Sequence, residues 1–308
     1  MAGAIVVIGS SNVDFIMKMA HLPRRGETVT DAVFLQTFGG KGANQAAAAA
    51  RAGGDVAFVN CVGDDRYGVA IRENLQAAGV DVGSVATVPG VASGTALVMI
   101  GDGGDNYLSV APGANYRLTR AEVDRARSLI DGAALVMLQC EILPDTLEYA
   151  IELAAGRRRP ILLNLAPARA ISEASLRKLN YLVVNESEAE FLCGFPVDSL
   201  PCAARAAEVL RARGPQAVLI TIGSQGVCVA CDGPPTHVPA FEVPAVDTTA
   251  AGDVFCGALA VALVERQPMA DAVRFASAAA ALCVTRLGAQ PSIPTRQEVD
   301  RFLQLDSR

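Results

Sequence analysis

Between Val246 and Leu259 the chain reads VDTTAAGDVFCGAL. The small-residue turn Ala250-Ala251-Gly252 leads into an apolar run of helical length, so the backbone N–H groups at its start lack intrahelical partners and form an anion hole. A transferring phosphoryl group is the anion such a hole suits. Asp253, at the same helix start, is placed to take a proton from an attacking hydroxyl. An aspartate there is also a favoured N-cap, worth about 1 kcal/mol to a helix. The turn before it favours chemistry, because residues with almost no side chain leave room for an incoming group.

Three further clusters carry polar groups in useful patterns. Asn12 and Asp14 lie two apart just past a strand-like run, and a carboxylate beside an amide suits a vicinal diol; an Asx turn explains the same pair without a ligand. In FGGKGANQAAAAARAGG, Phe38 to Gly54, paired glycines let the backbone approach a ligand, a following helix aims free N–H groups at it, and Lys41 and Asn44 offer donors. A tight turn with close helix packing is the alternative, and neither GxxxxGK[ST] nor GxGxxG is present. In NESEAE, Asn185 to Glu190, three carboxylates sit where a helix dipole stabilises them. Ser187 and Glu190 read as a capping box, which leaves Asn185 and Glu188 to project toward a phosphate-bound magnesium, through water. The only histidines, His21 and His237, form no arrangement suited to acyl transfer.

The elements that must position these groups are legible as alternation. AIVVIG, VAFVN, ALVMLQ, PILLNL, YLVVNE and AVLITIG are each followed by a helical pattern. Such runs, apolar on both faces, predict a doubly wound α/β/α sandwich with a mostly parallel sheet. Ligands in open α/β sheets lie beyond the carboxyl ends of the strands, which is where Asn12, Asp14, Glu141, Asn185, Glu188, Ser224 and Gly226 fall. Thr119 with Glu122 reads as another capping box, and Gly156 and Gly214 as helix C-terminal glycines. Two segments break the alternation. Val29 to Phe38 and Gly94 to Ala111 predict a small antiparallel sheet, the second as a hairpin around GDGGD. Its apolar strands need a second cover, so a ligand lid that doubles as a dimer contact is expected. No linker divides the chain, which predicts one domain over 1–308 with a lid from about 14–38 and 93–112.

Composition narrows the partners. The 308 residues are 51% hydrophobic and 19% charged, enough to bury a large core. A formal net charge of -6 without a Lys/Arg block disfavours nucleic acid and anionic membrane surfaces, leaving a small-molecule ligand. The apolar start lacks a cationic n-region and reads as a strand rather than a signal peptide, so a cytoplasmic protein is expected. Eight scattered cysteines suit reduced thiols better than a disulfide framework.

Together these motifs resemble the ribokinase branch of the phosphofructokinase-B type sugar kinases. GGKGANQAAAAARAGG is similar to that family's first signature and DTTAAGD to its second. NESE, TIGSQG, VGDDRYG, APGAN and VTRLGAQPSIP resemble smaller family segments in the same order. The resemblance implies Asp253 as catalytic base with the amides of Ala250, Ala251, Gly252 and Asp253 as anion hole. It implies sugar contacts from Asn12, Asp14, Gly40, Lys41, Asn44, Glu141 and Asp253. ATP would meet Asn185, Glu188, Thr221, Gly223, Ser224 and Gly226, with Ser277 near the adenine where ribokinases often carry asparagine. Asp247, Thr249, Cys283, Arg286, Gly288 and Ser292 would hold a monovalent cation, expected to be K⁺, mostly through backbone carbonyls. Ala250 stands where the wider family commonly has glycine.

The implied activity is ATP-dependent phosphorylation of the 5-hydroxyl of D-ribose with Mg²⁺, by a homodimer. Another furanose, such as deoxyribose or fructose, or a nucleoside is the alternative. A catalytically silent sugar-binding relative is a third reading, against which the intact Asp253 and its turn argue. Lys41 and Asn44 with Asn12 and Asp14 favour a small polyhydroxylated sugar. A nucleoside base would need an aromatic or apolar wall, and 5% of the chain is aromatic.

Overall fold

A computed structural model describes residues 3–103 and 105–306. The chain begins in the middle of its main sheet. Strand β1 (Ile5–Ile8) is followed by β2 (Asn12–Met19) and β3 (Val33–Gly39), which leave that sheet, then by helix α1 (Lys41–Arg51), β4 (Val56–Gly63), α2 (Arg66–Ala77) and β5 (Asp81–Val88). Next come β6 (Gly94–Gly101), β7 (Asn106–Ala111), α3 (Arg120–Arg125), α4 (Arg127–Gly132), β8 (Leu135–Leu138), α5 (Pro144–Gly156), β9 (Ile161–Asn164), α6 (Glu173–Leu176), β10 (Tyr181–Asn185) and α7 (Glu186–Cys193). The last part comprises α8 (Leu200–Ala212), β11 (Ala217–Thr221), β12 (Val227–Ala230), β13 (Thr236–Val238), α9 (Ala251–Val264), α10 (Met269–Val284) and α11 (Arg296–Asp306).

Among the described residues the main sheet has nine strands in the order β13-β12-β11-β10-β9-β8-β1-β4-β5. It is parallel from β5 to β11 and closes at one edge with the antiparallel strands β12 and β13. Successive residues of β1 point into different cores, as the pleat requires. Val7 packs with α1, α2, α9, α10 and α11, whereas Val6 and Ile8 pack with α3 to α8. The doubly wound sandwich read from the continuous apolar runs is therefore the observed fold.

The second sheet runs β3-β2-β6-β7. It is mixed rather than antiparallel throughout, because β2 and β6 pair in parallel. Both strands emerge from carboxyl ends of the main sheet, β2 after β1 and β6 after β5, and so keep a common direction. The strand expected from Val29 is β3, which begins at Val33, and Gly104 of the expected hairpin turn lies outside the described residues.

Helix ends correct two further readings. Thr119 and Glu122 form the expected capping box. The box on α7 is Asn185 with Glu188, not Ser187 with Glu190, because β10 runs to Asn185 and passes directly into the helix, leaving Ser187 inside it. Gly214 follows the end of α8 with positive φ, whereas Gly156 is the last residue of α5 and Arg158 takes the left-handed position.

The alanine run of α1 has a packing reason. A Cβ on Gly257 of α9 would lie 2.6 Å from Ala48 Cβ and 2.7 Å from the Gln45 carbonyl oxygen, so the two helices meet almost backbone to backbone. Only small residues allow that approach. It brings the start of α1 against the start of α9.

Candidate active site

Helix α9 starts from a strained turn. Ala250 is left-handed (φ 62°, ψ 5°) and offers no side-chain cap, and Asp253 lies inside the first turn instead of at the N-cap. The Ala251 N–H donates to the Thr248 carbonyl at 3.2 Å, while those of Gly252 and Asp253 have no intrahelical acceptor. A Cβ added to Gly252 would meet nothing within 4 Å, so these amides face open space at the positive end of the helix dipole.

Asp253 is buried and both its carboxylate oxygens are held. Asn44 Nδ2 donates to Oδ2 at 2.9 Å and Gln45 Nε2 to Oδ1 at 3.0 Å. Gln45 Nε2 also donates to Asn164 Oδ1 at 3.0 Å, and its own oxygen accepts from Gln139 Nε2 at 2.7 Å. On the other side Gln290 Nε2 donates to Asn44 Oδ1 at 3.2 Å. Sequence reasoning found Asn44 and missed Gln45, Gln139, Asn164 and Gln290. Gln45 directly follows Asn44 in GGKGANQ, but adjacent helical residues diverge by about 100° and are not expected to share a target. The close crossing of α1 and α9 lets both reach one carboxylate.

The expected sugar-binding residues converge beside Asp253. Gly40 (φ 87°) exists for close approach, since a Cβ there would lie 2.7 Å from Ser11 Cα. Glu141 Oε2 accepts from Ser10 Oγ at 2.5 Å and from the Lys41 N–H at 2.9 Å, anchoring the start of α1. Asn115 Nδ2 donates to Asn12 Oδ1 at 2.9 Å, which orients the Asn12 amide nitrogen as a donor. Asn115, itself oriented by Asn60 and the Ser11 N–H, was also missed. Asp14 lies on the same face of β2 as Asn12, and its Oδ1 is buried without a partner. Burial, then the charge of Glu141, pushes its carboxyl up to about 7. A buried acceptor with no donor is what hydroxyls of a ligand satisfy. Burial alone would lower Lys41, but the carboxylates of Asp253, Glu141 and Glu188 outweigh it and hold the ammonium above its ordinary value.

A cleft of about 230 Å³ runs from Lys41 and Asp253 past Asn164 and Gly252 to Asn185, Glu188 and Thr221. It joins Asp253 to the expected nucleotide residues. Asn185 and Glu188 face it while capping each other, Asn185 N–H to Glu188 Oε2 at 2.9 Å and Glu188 N–H to Asn185 Oδ1 at 2.8 Å. Burial raises the Glu188 carboxyl despite the opposing Asn185 hydrogen bond and Lys41 charge. Gly223 and Ser224 form a short 3₁₀ turn after β11. Gly226 (φ 100°) is required by β13, because a Cβ there would lie 2.2 Å from the Val238 carbonyl oxygen. Ser277 does not line this cleft: it is buried on α10 with its hydroxyl unpartnered.

The expected cation residues gather behind the same turn. Asp247 accepts from the N–H groups of Thr249 and Gly288, both at 2.9 Å. Burial opposes its ionisation, but hydrogen bonds from Thr249 and Gly288 hold its carboxyl below the ordinary range. Cys283 Sγ lies 3.0 Å from Ser292 Oγ and 3.7 Å from the Thr249 carbonyl. Arg286 turns its side chain away to Glu298 at 2.5 Å. Among the described residues no group of three or more His, Cys, Asp and Glu side chains is placed to hold a metal ion.

The chain is similar to known proteins over nearly its whole length. The family model for pfkB family carbohydrate kinases matches residues 3–296. Ribokinase from Haemophilus influenzae is 37% identical over 304 residues, covering 99% of each chain. Ribokinase from Bacillus subtilis is 41% identical over 299 residues, covering 97% of this chain and 99% of its own. The solved structure of Arabidopsis thaliana ribokinase with ribose and ATP superposes with a TM-score of 0.92 at 32% identity, covering 99% of both chains.

Proposed function

The chain belongs to the pfkB family of carbohydrate kinases, and from that premise we propose that it transfers the γ-phosphoryl group of ATP to the 5-hydroxyl of D-ribose. The observation that carries this reading is Asp253, held by two amides at the free N-terminus of α9 and facing the cleft that reaches Asn185, Glu188 and Thr221. Ribose is gripped by the Asn12 amide nitrogen, the Asp14 carboxylate, Lys41, Asn44 and Glu141, with its 5-hydroxyl toward Asp253. The hydroxyl oxygen forms the new bond to phosphorus, the bond to the ADP oxygen breaks, and the hydroxyl proton passes to Asp253. The amides of Gly252 and Asp253, with the helix dipole, offset the charge on the transferring group.

Mg²⁺ bound to the phosphates fits the Asn185–Glu188 end, where a buried carboxylate raised by desolvation gains from a cation; it would neutralise phosphate charge. K⁺ fits the loop of Asp247, Thr249, Cys283, Arg286, Gly288 and Ser292, whose carboxylate, hydroxyl and carbonyl oxygens are hard donors, and would stiffen the anion-hole turn. Gly223, Ser224 and Gly226 are the proposed backbone contacts of ATP, with Ser277 toward the adenine.

The lid supports a homodimer. Leu35, Leu108 and Val110 share the Asp14 face of the small sheet and are 46%, 65% and 43% exposed. A second copy would cover this apolar face while the same sheet closes over sugar; a monomeric mass in sedimentation overturns the dimer. No helix of the described residues is long and apolar enough to cross a membrane; use of ATP as phosphoryl donor supports a cytoplasmic setting.

The deciding experiment measures ADP release over ribose, 2-deoxyribose, fructose and a nucleoside, in K⁺ and then in Na⁺. Ribose with K⁺ is expected to give the highest kcat/KM. Inactive ribose beside another furanose that turns over would sink the substrate assignment.

A further inference from the structure

The amide side chains behind Asp253 form a directed chain. An ionised carboxylate only accepts, so Gln45 must present its NH₂ group to Asp253 Oδ1. The second hydrogen of that nitrogen goes to Asn164 Oδ1, whose orientation is fixed independently because Asn164 Nδ2 donates to the Val183 carbonyl at 3.2 Å. The Gln45 oxygen is thereby turned toward Gln139, which must answer with its own NH₂ group. The Gln139 oxygen is then left buried with no partner, over Gly9, where a Cβ would lie 2.0 Å from it.

Gln45 and Gln139 are both wholly buried. An unpaired buried carbonyl costs stability, and an apolar side chain of the same shape would only move that cost to the Gln45 oxygen, which would lose its donor. The net contribution of Gln139 to stability is therefore small. What it does is fix which way Gln45 points.

We infer that Gln45, oriented by Gln139 and Asn164, is a positioning residue that aims the Asp253 carboxylate. This rests on the proposed role of Asp253 as base. Together with Asn44 on the other oxygen, Gln45 prevents the carboxylate plane from turning away from the substrate hydroxyl.

The test uses the full-length protein and whichever sugar the wild type phosphorylates. Gln45→Leu is expected to lower kcat by roughly 10- to 100-fold, with KM for sugar and ATP within about threefold. Gln139→Met, which leaves every contact of Asp253 in place, is expected to show the same signature at roughly tenfold or less, with melting temperature within a few degrees of wild type. If Gln45→Leu fails to fold, Gln139→Met decides. Folded variants that keep wild-type kcat overturn the inference, and so does a loss of activity in which KM rises as much as kcat falls. A wild type inactive on every sugar would overturn the kinase reading instead.

Discussion

Asn44 Nδ2 donates to Asp253 Oδ2 at 2.9 Å although 209 positions of sequence separate them. The bond ties the start of α1 to the start of α9, and Gln290 extends it to the loop that precedes α11. The glycine-rich first signature and the second signature thus act as one device: the first holds the carboxylate that the second supplies.

Asp253→Asn is expected to lower kcat by about a hundred- to ten-thousand-fold, the contribution of a positioned general base. The new amide meets two donors, Asn44 and Gln45, so at least one hydrogen bond is lost, about 1–3 kcal/mol. A coupled ADP assay with a thermal melt checks both, and near wild-type turnover would refute the base assignment.

Asp14 ties stability to pH. Its folded-state carboxyl is raised to about 7 from an ordinary 3.8, so the stability it contributes is full below about pH 3.8 and is lost as pH rises through about 7. Asp14→Asn should therefore melt higher than wild type at pH 8, with the difference shrinking toward pH 4. Ribose KM should rise tenfold or more, because the amide replaces an acceptor with a partial donor. Equal melting curves at pH 8 would contradict this account.

Ala250 holds a left-handed backbone that costs an L-residue about 1–2 kcal/mol. Ala250→Gly should leave melting temperature unchanged or a few degrees higher and kcat/KM within a few-fold, since glycine relieves the strain while loosening the unfolded chain. Ala250→Val, β-branched at φ 62°, should destabilise the protein and reduce kcat. Melts and turnover of the pair check this.

Gly257→Ala tests the helix crossing. The added methyl would sit 2.6 Å from Ala48 Cβ and 2.7 Å from the Gln45 carbonyl, so α9 must shift. A stability loss of about 1–3 kcal/mol is expected, with kcat falling more than KM rises, because the shift carries Asp253 away from Asn44 and Gln45. Denaturant melts and steady-state kinetics separate the two effects.

Much of this was legible in the sequence because a sheet covered on both faces writes itself as unbroken apolar runs, as AIVVIG does for Ile5–Ile8. Polar residues at the ends of such runs, Asp14 and Asn185 among them, followed directly. Other features depend on tertiary geometry. NESEAE contains two overlapping capping-box matches, and only the point where β10 stops pairing selects Asn185 with Glu188 over Ser187 with Glu190. Gln45 and Gln139 are hidden for a similar reason: nothing in a single helix or strand says that the two will meet behind a carboxylate from the far end of the chain.

The central place of β1 has a consequence in time. It lies between β8 and β4, and the core it shares with α1 and α2 is completed by α9, α10 and α11, made from the last quarter of the chain. A chain emerging N-terminus first must hold its early strands and the alanine face of α1 uncovered until those helices arrive. Catalytic competence is then the final event of folding. In refolding experiments the recovery of turnover should trail the recovery of helical signal, by the interval α9 needs to dock.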